Sequence, residues 1–342
     1  MKSKGLIGLL IATAAAVVLA VLLSSGSGVP AVDPQSGKAV LPDLAKHLDS
    51  IARVTLVRGE SKTTLLRQDK DWVVEEKGGY PADTDKVRQA LLGLAELSYV
   101  EPKTKRPDSY PRLQVEDAGQ KDAKSVLVTA SDDKGDALGE IIAGKRRIDQ
   151  LGGGVDGIYV RKPGDAQSWL ARGTLDVAGD TSGWLDRKII DLPQEKVKDV
   201  VLTQPDGGRL HIARDKPEDA LALKDVSDKD KPKSDTALVE PAGALAALDL
   251  ADVRAAADMP LPKEGVARAE FTSFDGLAVK VSLFQQDGKD WARFETSGTG
   301  DAEKQAVELN AKLSRWVYAI PDYKAKTLKT KLADVVAPPK PS

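Results

Sequence analysis

The chain has 342 residues, of which 41% are hydrophobic and 30% charged, a composition typical of globular proteins that excludes overall disorder. Its formal net charge of −2 provides no basic excess, so no nucleic-acid partner is predicted. The absence of cysteine excludes disulfides, thiolate metal sites, cysteine nucleophiles and lipoprotein processing. The length predicts one large domain or two ordinary ones.

The first predicted element is an uninterrupted apolar stretch, Gly5 to Leu23. A helix rises about 1.5 Å per residue, so this stretch would measure roughly 28 Å, close to the hydrocarbon thickness of a bilayer. Lys2 and Lys4 precede it, and the positive-inside rule predicts a cytoplasmic N-terminus at residues 1–4 and a periplasmic main domain. The alternative is a cleaved signal peptide, whose apolar core is usually shorter. We expect a retained single-pass anchor in the inner membrane.

A spacer is predicted over residues 24–45, because Ser, Gly and Pro dominate its first part. The first folded unit is predicted over residues 46–190. It begins with three alternating strand patterns and continues with a helix over 86–97, for which Asp83 or Thr84 is the expected cap. Four further strand patterns complete the unit.

A second unit, predicted over residues 191–330, repeats this order of elements, with strands at 197–202 and 209–214 around a turn. The matching order predicts a diverged internal duplication. The expected fold class is therefore α+β: an N-terminal transmembrane helix followed by two similar, mostly antiparallel sheet domains with helices packed on one face.

The second unit differs from the first at two places. The charged stretch 224–235 predicts a solvated loop. A closing helix is predicted from residue 301 to residue 320, and residues 331–342 are expected to be a flexible tail. The apolar positions that share one face of this helix are Ala306, Leu309, Leu313, Trp316, Val317 and Ile320.

Several short motifs are distributed over both units. They are the predicted anchor, a strand that begins with Trp72, GYPAD at 79–83, YVR at 159–161, WLDRKII at 184–190 and WVYAIPDY at 316–323. Together they resemble the DUF4340 family, a bacterial family of uncharacterised function. The resemblance implies an association with gliding-motility-type ABC transporter systems, whose auxiliary membrane proteins carry large extracytoplasmic domains. It supplies no active-site residues.

The residues that usually perform catalysis form no recognisable pattern. Only two histidines occur, His47 and His211, and neither belongs to an H-E-x-x-H motif or accompanies a G-x-S-x-G elbow. The glycine-rich stretch 151–157 precedes a strand pattern, so a hairpin turn is favoured over a phosphate cradle. Acidic pairs such as Asp132–Asp133 lie in polar turns. No catalytic, metal-binding or cofactor-binding residue is predicted, and no cofactor.

The most distinctive polar and aromatic cluster lies between the two units, at residues 180–188. Trp184, Asp186 and Arg187 are the candidate partner-binding residues, since Trp and Arg dominate interface hot spots. The alternative interpretation is a clasp between the units, in which Trp184 anchors one unit on the other and Asp186 pairs with Arg187.

The function predicted from the sequence is that of a non-enzymatic accessory or scaffold subunit, anchored in the inner membrane and attached to an ABC-type transporter or another membrane complex. A ligand-binding module for envelope polysaccharide or lipid, using the cleft between the units, is the alternative. A hydrolase is the third hypothesis.

Overall fold

The computed structural model of the chain describes residues 33–148, 156–227, 230–234 and 236–337. Most of the described strands belong to one of two large sheets. The first sheet contains β1 (Arg53–Arg58), β2 (Ser61–Gln68), β3 (Asp71–Val74), β4 (Tyr80–Pro81), β5 (Ser98–Pro102), β6 (Val126–Ser131), β7 (Ala137–Arg147), β8 (Gly157–Arg161) and β9 (Ser168–Arg172). Its strands lie in the order β4-β3-β2-β1-β6-β7-β8-β9-β5, and every neighbouring pair is antiparallel.

A short antiparallel ribbon and a second large sheet follow. The ribbon pairs β10 (Lys188–Ile190) with β14 (Leu248–Asp249). The second sheet contains β11 (Val197–Thr203), β12 (Arg209–Ala213), β13 (Ala222–Lys224), β15 (Asp252–Ala255), β16 (Ala267–Ser273), β17 (Leu277–Gln286), β18 (Lys289–Gly298) and β19 (Trp316–Ala319). Its order is β13-β12-β11-β16-β17-β18-β19-β15, again antiparallel throughout.

The two sheets place corresponding strands in the same order. If β1 is matched with β11, the order β3-β2-β1-β6-β7-β8-β9-β5 of the first sheet becomes the order of the second, and only β4 has no counterpart. The expectation of two mostly antiparallel sheets in a sheet-rich α+β protein is confirmed.

Six α-helices occur among the described residues. They are α1 (Thr84–Glu96), α2 (Tyr110–Leu113), α3 (Val239–Ala242), α4 (Ala302–Leu313), α5 (Asp322–Leu328) and α6 (Leu332–Val335). The helix predicted over 86–97 is confirmed as α1, whose N-cap Asp83 accepts a hydrogen bond from the backbone N–H of Lys86 at 3.0 Å. Val87, Leu91 and Leu94 of α1 are buried in the main core.

The closing helix predicted over 301–320 is wrong in its second half. Helix α4 ends at Leu313, and Trp316–Ala319 forms strand β19 between β18 and β15. Aromatic and β-branched residues favour a strand, and all four residues of β19 are buried. The apolar spacing alone could not distinguish a helical stripe from a helix followed by a fully buried strand.

The sequence predicted that the helices pack on one face of each sheet, but in the first sheet they lie on both faces. The buried residues of α1 and α4 belong to the main core. The one-turn helix α2 instead contributes Tyr110 to a separate small cluster that contains Ile142, whereas its neighbour Ile141 belongs to the main core. Because successive strand residues point to opposite faces, α2 covers the opposite face of the first sheet.

The segment before β1 is joined to the edge of the first sheet. The backbone N–H of Gly37 donates to Tyr99 O at 2.7 Å, and Tyr99 N–H donates to Lys38 O at 2.9 Å. Val40 and Leu44 are fully buried. Residues 36–44, for which the sequence predicts part of a spacer, therefore pack on the sheet next to β5.

None of the described helices is long and apolar enough to cross a membrane. The predicted anchor Gly5–Leu23 and the first residues of the predicted spacer lie outside the described residues, as do residues 149–155 and 338–342.

Candidate functional site

The contact between the two sheets, called the joint below, is filled by aromatic side chains. Tyr80 from β4 packs edge-on against Trp316 of β19, with ring centroids 5.0 Å apart, and against Tyr318 at 6.2 Å. Tyr318 in turn packs against Phe294 of β18 at 5.7 Å. Tyr80 and Tyr318 are at most 1% exposed, and one continuous apolar core runs through both sheets.

The hydroxyl groups of the two tyrosines are buried at the joint together with their rings. The Tyr80 hydroxyl donates to the backbone carbonyl of Asp186 at 3.0 Å. Burial, followed by the nearby charge of Asp186, raises the pKa of Tyr80 far above its ordinary value. Burial also raises the pKa of Tyr318, with Tyr80 adding to the shift. Both phenols are therefore neutral at physiological pH and serve as packing groups.

Ion pairs surround the aromatic contact. Lys77, just before β4, reaches Asp252 of β15 at 2.5 Å, and Lys289 reaches the other oxygen of Asp252 at 3.2 Å. Partial burial raises the pKa of Asp252, but the hydrogen bond and charge of Lys77, with the backbone N–H of Val253, outweigh burial and hold the pKa below its ordinary value. Lys312 of α4 pairs with Asp186 at 3.2 Å. The Lys77–Asp252 and Lys312–Asp186 pairs link the first sheet and the connecting segment to the second half, whereas Lys289 and Asp252 both belong to the second sheet.

Trp184, the first candidate partner-binding residue, lies inside the protein and is 1% exposed. Its indole N–H donates to Ala178 O at 3.0 Å, and the ammonium of Lys86 lies 5.2 Å from the ring centroid. The backbone carbonyl of Trp184 accepts from Asp83 N–H, which ties the start of α1 to the segment that leads to β10. In this conformation the Trp184 ring is covered by residues of its own chain and is not exposed at the surface.

The predicted pairing of Asp186 with Arg187 is wrong. The Asp186 carboxylate pairs with Lys312, whereas the Arg187 guanidinium donates to the backbone carbonyl of Leu250 at 3.4 Å. Adjacent residues in an extended segment direct their side chains to opposite sides, so each of the two finds a different partner. Asp186 is half-buried and Arg187 is exposed.

Three of the motifs quoted above meet at the joint. GYPAD contributes Tyr80, WLDRKII contributes Asp186, and WVYAIPDY contributes Trp316 and Tyr318, whereas Trp184 lies within the first unit beside α1. Residue types alone did not identify Tyr80, Lys77, Asp252 or Lys312 as partners, since they are far apart in the sequence. The aromatic residues of GYPAD and WVYAIPDY are a signal that could have pointed to Tyr80, but no sequence signal marks Lys77, Asp252 or Lys312.

The two histidines lie apart from each other. His47 is exposed beside two short 3-10 turns, Leu44–Lys46 and Leu48–Ser50. His211 of β12 contacts Asp225 through Nδ1 and Asp199 through Nε2, both at 2.7 Å. Among the described residues, no group of three or more His, Cys, Asp or Glu side chains is arranged to hold a metal ion. Residues 151–155 of the glycine-rich stretch lie outside the described residues, and β7 and β8 on either side of it pair with each other.

Comparison with known proteins gives one match. The family model described as "Domain of unknown function (DUF4340)" matches residues 72–269, more than half of the chain, from β3 through the joint into β16. No curated protein and no solved structure matches the chain.

Proposed function

Because the chain belongs to the DUF4340 family, we propose that it is a non-enzymatic accessory or scaffold subunit of a membrane assembly, an ABC-type transport system. The proposal places it in the inner membrane through Gly5–Leu23, with its main domain in the periplasm. The transporter association is what the family resemblance implies. The chemistry of the joint supports a structural role, since its aromatic groups are buried and its charged groups pair with one another.

The observation that carries the proposal is the continuous core across the joint. Domains within one chain usually move relative to each other unless their interface is extensive and apolar. Here Tyr80, Trp316 and Tyr318 fill that interface, and Lys77–Asp252 and Lys312–Asp186 close its rim. A body that holds two sheets in a fixed arrangement suits a subunit that positions partners.

The attachment of the N-terminal segment supports a tethered scaffold. Residues 36–44 are hydrogen-bonded and packed on the first sheet beside β5, so a membrane anchor at 5–23 would be followed closely in the chain by a segment fixed to this sheet. The equal strand order supports the further inference that the two units, 46–190 and 191–330, arose by internal duplication. The alternative ligand site between the units loses support, because side chains occupy the space at the joint.

Membrane topology is tested with single cysteines, since the chain has none of its own. Ser3→Cys and Lys304→Cys are introduced separately; the Lys304 side chain is 88% exposed. A membrane-impermeant maleimide should label Lys304→Cys in intact spheroplasts and Ser3→Cys only after lysis. Labelling of Lys304→Cys only after lysis would contradict a periplasmic domain, and loss of Ser3→Cys from the mature protein would show cleavage.

The scaffold role is tested by affinity purification of the C-terminally tagged full chain from detergent-solubilised membranes. We expect ABC transporter subunits to co-elute. The matched control is residues 1–45 fused to an unrelated folded domain, which retains the predicted anchor and lacks both sheets. The proposal fails if transporter subunits are missing from the eluate of the full chain or elute equally with the control.

A further inference from the structure

An aromatic groove lies at the edge of the first sheet, away from the residues of the joint. This open groove has a volume of about 510 Å³, within the size range of small-molecule sites. Tyr99 of β5 and Trp169 of β9 provide two half-buried rings with centroids 4.7 Å apart. The other lining residues come from the N-terminal segment and from the β8–β9 hairpin: Gln35, Lys38, Ala39, Pro42, Lys162, Asp165 and Gln167.

The local structure of β5 explains how the two rings meet. The register of the β5–β9 pair shifts between Tyr99 and Glu101, so one strand contains an extra residue at this point. Such a bulge redirects nearby side chains. Tyr99 opposes Ala171 in the ladder, and it reaches diagonally to Trp169. The aromatic surface is thus built by the sheet itself.

The polar atoms around these rings remain available to a ligand. Within the described part of the chain, the ammonium groups of Lys38 and Lys162 have no hydrogen bond or ion pair, and neither the Trp169 indole N–H nor the Tyr99 hydroxyl has a hydrogen-bond partner. Burial, followed by the charge of Asp165, raises the pKa of Tyr99, which keeps its hydroxyl a donor. The lining therefore presents two cations, one carboxylate and two aromatic rings.

We propose that this groove binds an anionic saccharide, with a sugar ring stacked on Trp169 beside Tyr99 and its acidic group held by Lys38 and Lys162. The apolar C–H face of a pyranose matches an aromatic face, while its hydroxyls both donate and accept hydrogen bonds. Gln35, Gln167 and Asp165 suit hydroxyl groups. This binding activity goes beyond the scaffold role and does not depend on it.

The test is calorimetric titration of the full chain in a detergent whose headgroup is not a sugar. The probes are tetragalacturonate, maltotetraose as its neutral counterpart, AMP and inorganic phosphate. We expect tetragalacturonate to bind, maltotetraose to bind at least about tenfold more weakly, and added salt to weaken tetragalacturonate binding. Equal binding of the two saccharides, stronger binding of AMP or phosphate, or no saccharide binding overturns the proposal.

Variants separate the roles of the rings and the charges. Trp169→Ala should weaken tetragalacturonate at least about tenfold, and Trp169→Phe, which keeps a ring face, should lose less. Lys38→Glu combined with Lys162→Glu changes exposed residues only and should weaken tetragalacturonate to a similar extent while leaving maltotetraose unchanged. Tyr323→Ala and Lys198→Glu, exposed residues outside the groove, are the matched controls. Unchanged binding in the lysine double variant contradicts the assigned anion contact.

Discussion

The two sheets arrange their strands in the same order but are covered by helices from different places in the chain. In the first half, the 13-residue helix α1 lies between β4 and β5 and packs on the sheet. At the equivalent place in the second half, between β13 and β15, the described residues form a single helix, the one-turn α3. The cover there includes α4, inserted between β18 and β19, and the C-terminal α5. Burial of an apolar sheet face requires cover, whichever part of the chain supplies it.

The sharpest test of this comparison is whether the halves unfold together. Trp184→Ala removes a ring that is 1% exposed in the core of the first half, together with the hydrogen bond to Ala178. We expect a loss of about 4 kcal/mol in the free energy of unfolding and a single shifted transition in urea, followed by circular dichroism.

The control is Trp169→Ala, since this half-buried ring lies far from the joint in the first sheet and should cost less. Two separated transitions in Trp184→Ala, with one at the wild-type position, would show that the halves are independent folding units.

The second test concerns the close contact of α1 with the chain beneath it. Gly93 lies inside this helix, where alanine would normally add about 1 kcal/mol of stability. A β-carbon at residue 93 would lie 2.3 Å from the carbonyl oxygen of Thr174, so the backbone would have to move. We expect Gly93→Ala to destabilise the protein by about 1–3 kcal/mol in thermal or urea unfolding.

The matched variant is Leu92→Ala on the same helix, where the side chain is 44% exposed and the cost should be smaller. A stabilising Gly93→Ala would mean that helix propensity outweighs this contact. It would also mean that the packing of α1 can adjust to an added methyl group at residue 93.

Local patterns predicted the strands and α1 well, because alternation and capping depend on neighbouring residues. Val54 and Leu56 alternate with more exposed residues in β1, and Val200 and Leu202 do the same in β11. The end of α4 was not predictable in this way, since the strand formed by Trp316–Ala319 exists only because β18 and β15 flank it.

The joint shows the same limit more clearly. Trp184 and Asp186 were identified from residue type, but their partners could not be. Tyr80 and Lys312 reach Asp186 through the tertiary fold, and neither lies near it in the sequence. The sequence alone suggested that Asp186 pairs with its neighbour Arg187. In the extended backbone the two side chains point to opposite sides, so they do not pair. The sequence patterns therefore indicated segments that form the joint, but not which residues contact each other there.

A third test compares matching positions of β2 and β12. If Val54 is matched with Val200, Thr64 corresponds to His211. Partial burial lowers the pKa of His211, but the hydrogen bonds and charges of Asp199 and Asp225 outweigh it and raise the pKa above 6.5. The raised pKa stabilises the fold fully below pH 6.5, and this contribution is lost as the pH rises through the folded-state value.

We expect His211→Gln to remove less than about 1 kcal/mol of stability at pH 6 and to have a smaller effect at pH 8.5, because Asp199 and Asp225 are partly exposed. Urea unfolding at both pH values measures this difference. His47→Gln, at an exposed histidine, is the control. An effect of His211→Gln that is equal or larger at pH 8.5 would contradict the charge pairing.

A fourth test separates two adjacent threonines of β2, both nearly fully buried. The Thr63 hydroxyl is hydrogen-bonded to that of Thr181 at 2.8 Å, whereas the Thr64 hydroxyl has no partner among the described residues. Thr64→Val removes an unsatisfied polar atom and should be neutral or stabilise by up to about 1 kcal/mol, while Thr63→Val should cost about 1 kcal/mol. Urea unfolding of the pair measures the difference. If Thr64→Val destabilises as much as Thr63→Val, the Thr64 hydroxyl has a polar partner in solution. The first half would then resemble the second at this position, where His211 also satisfies its polar atoms.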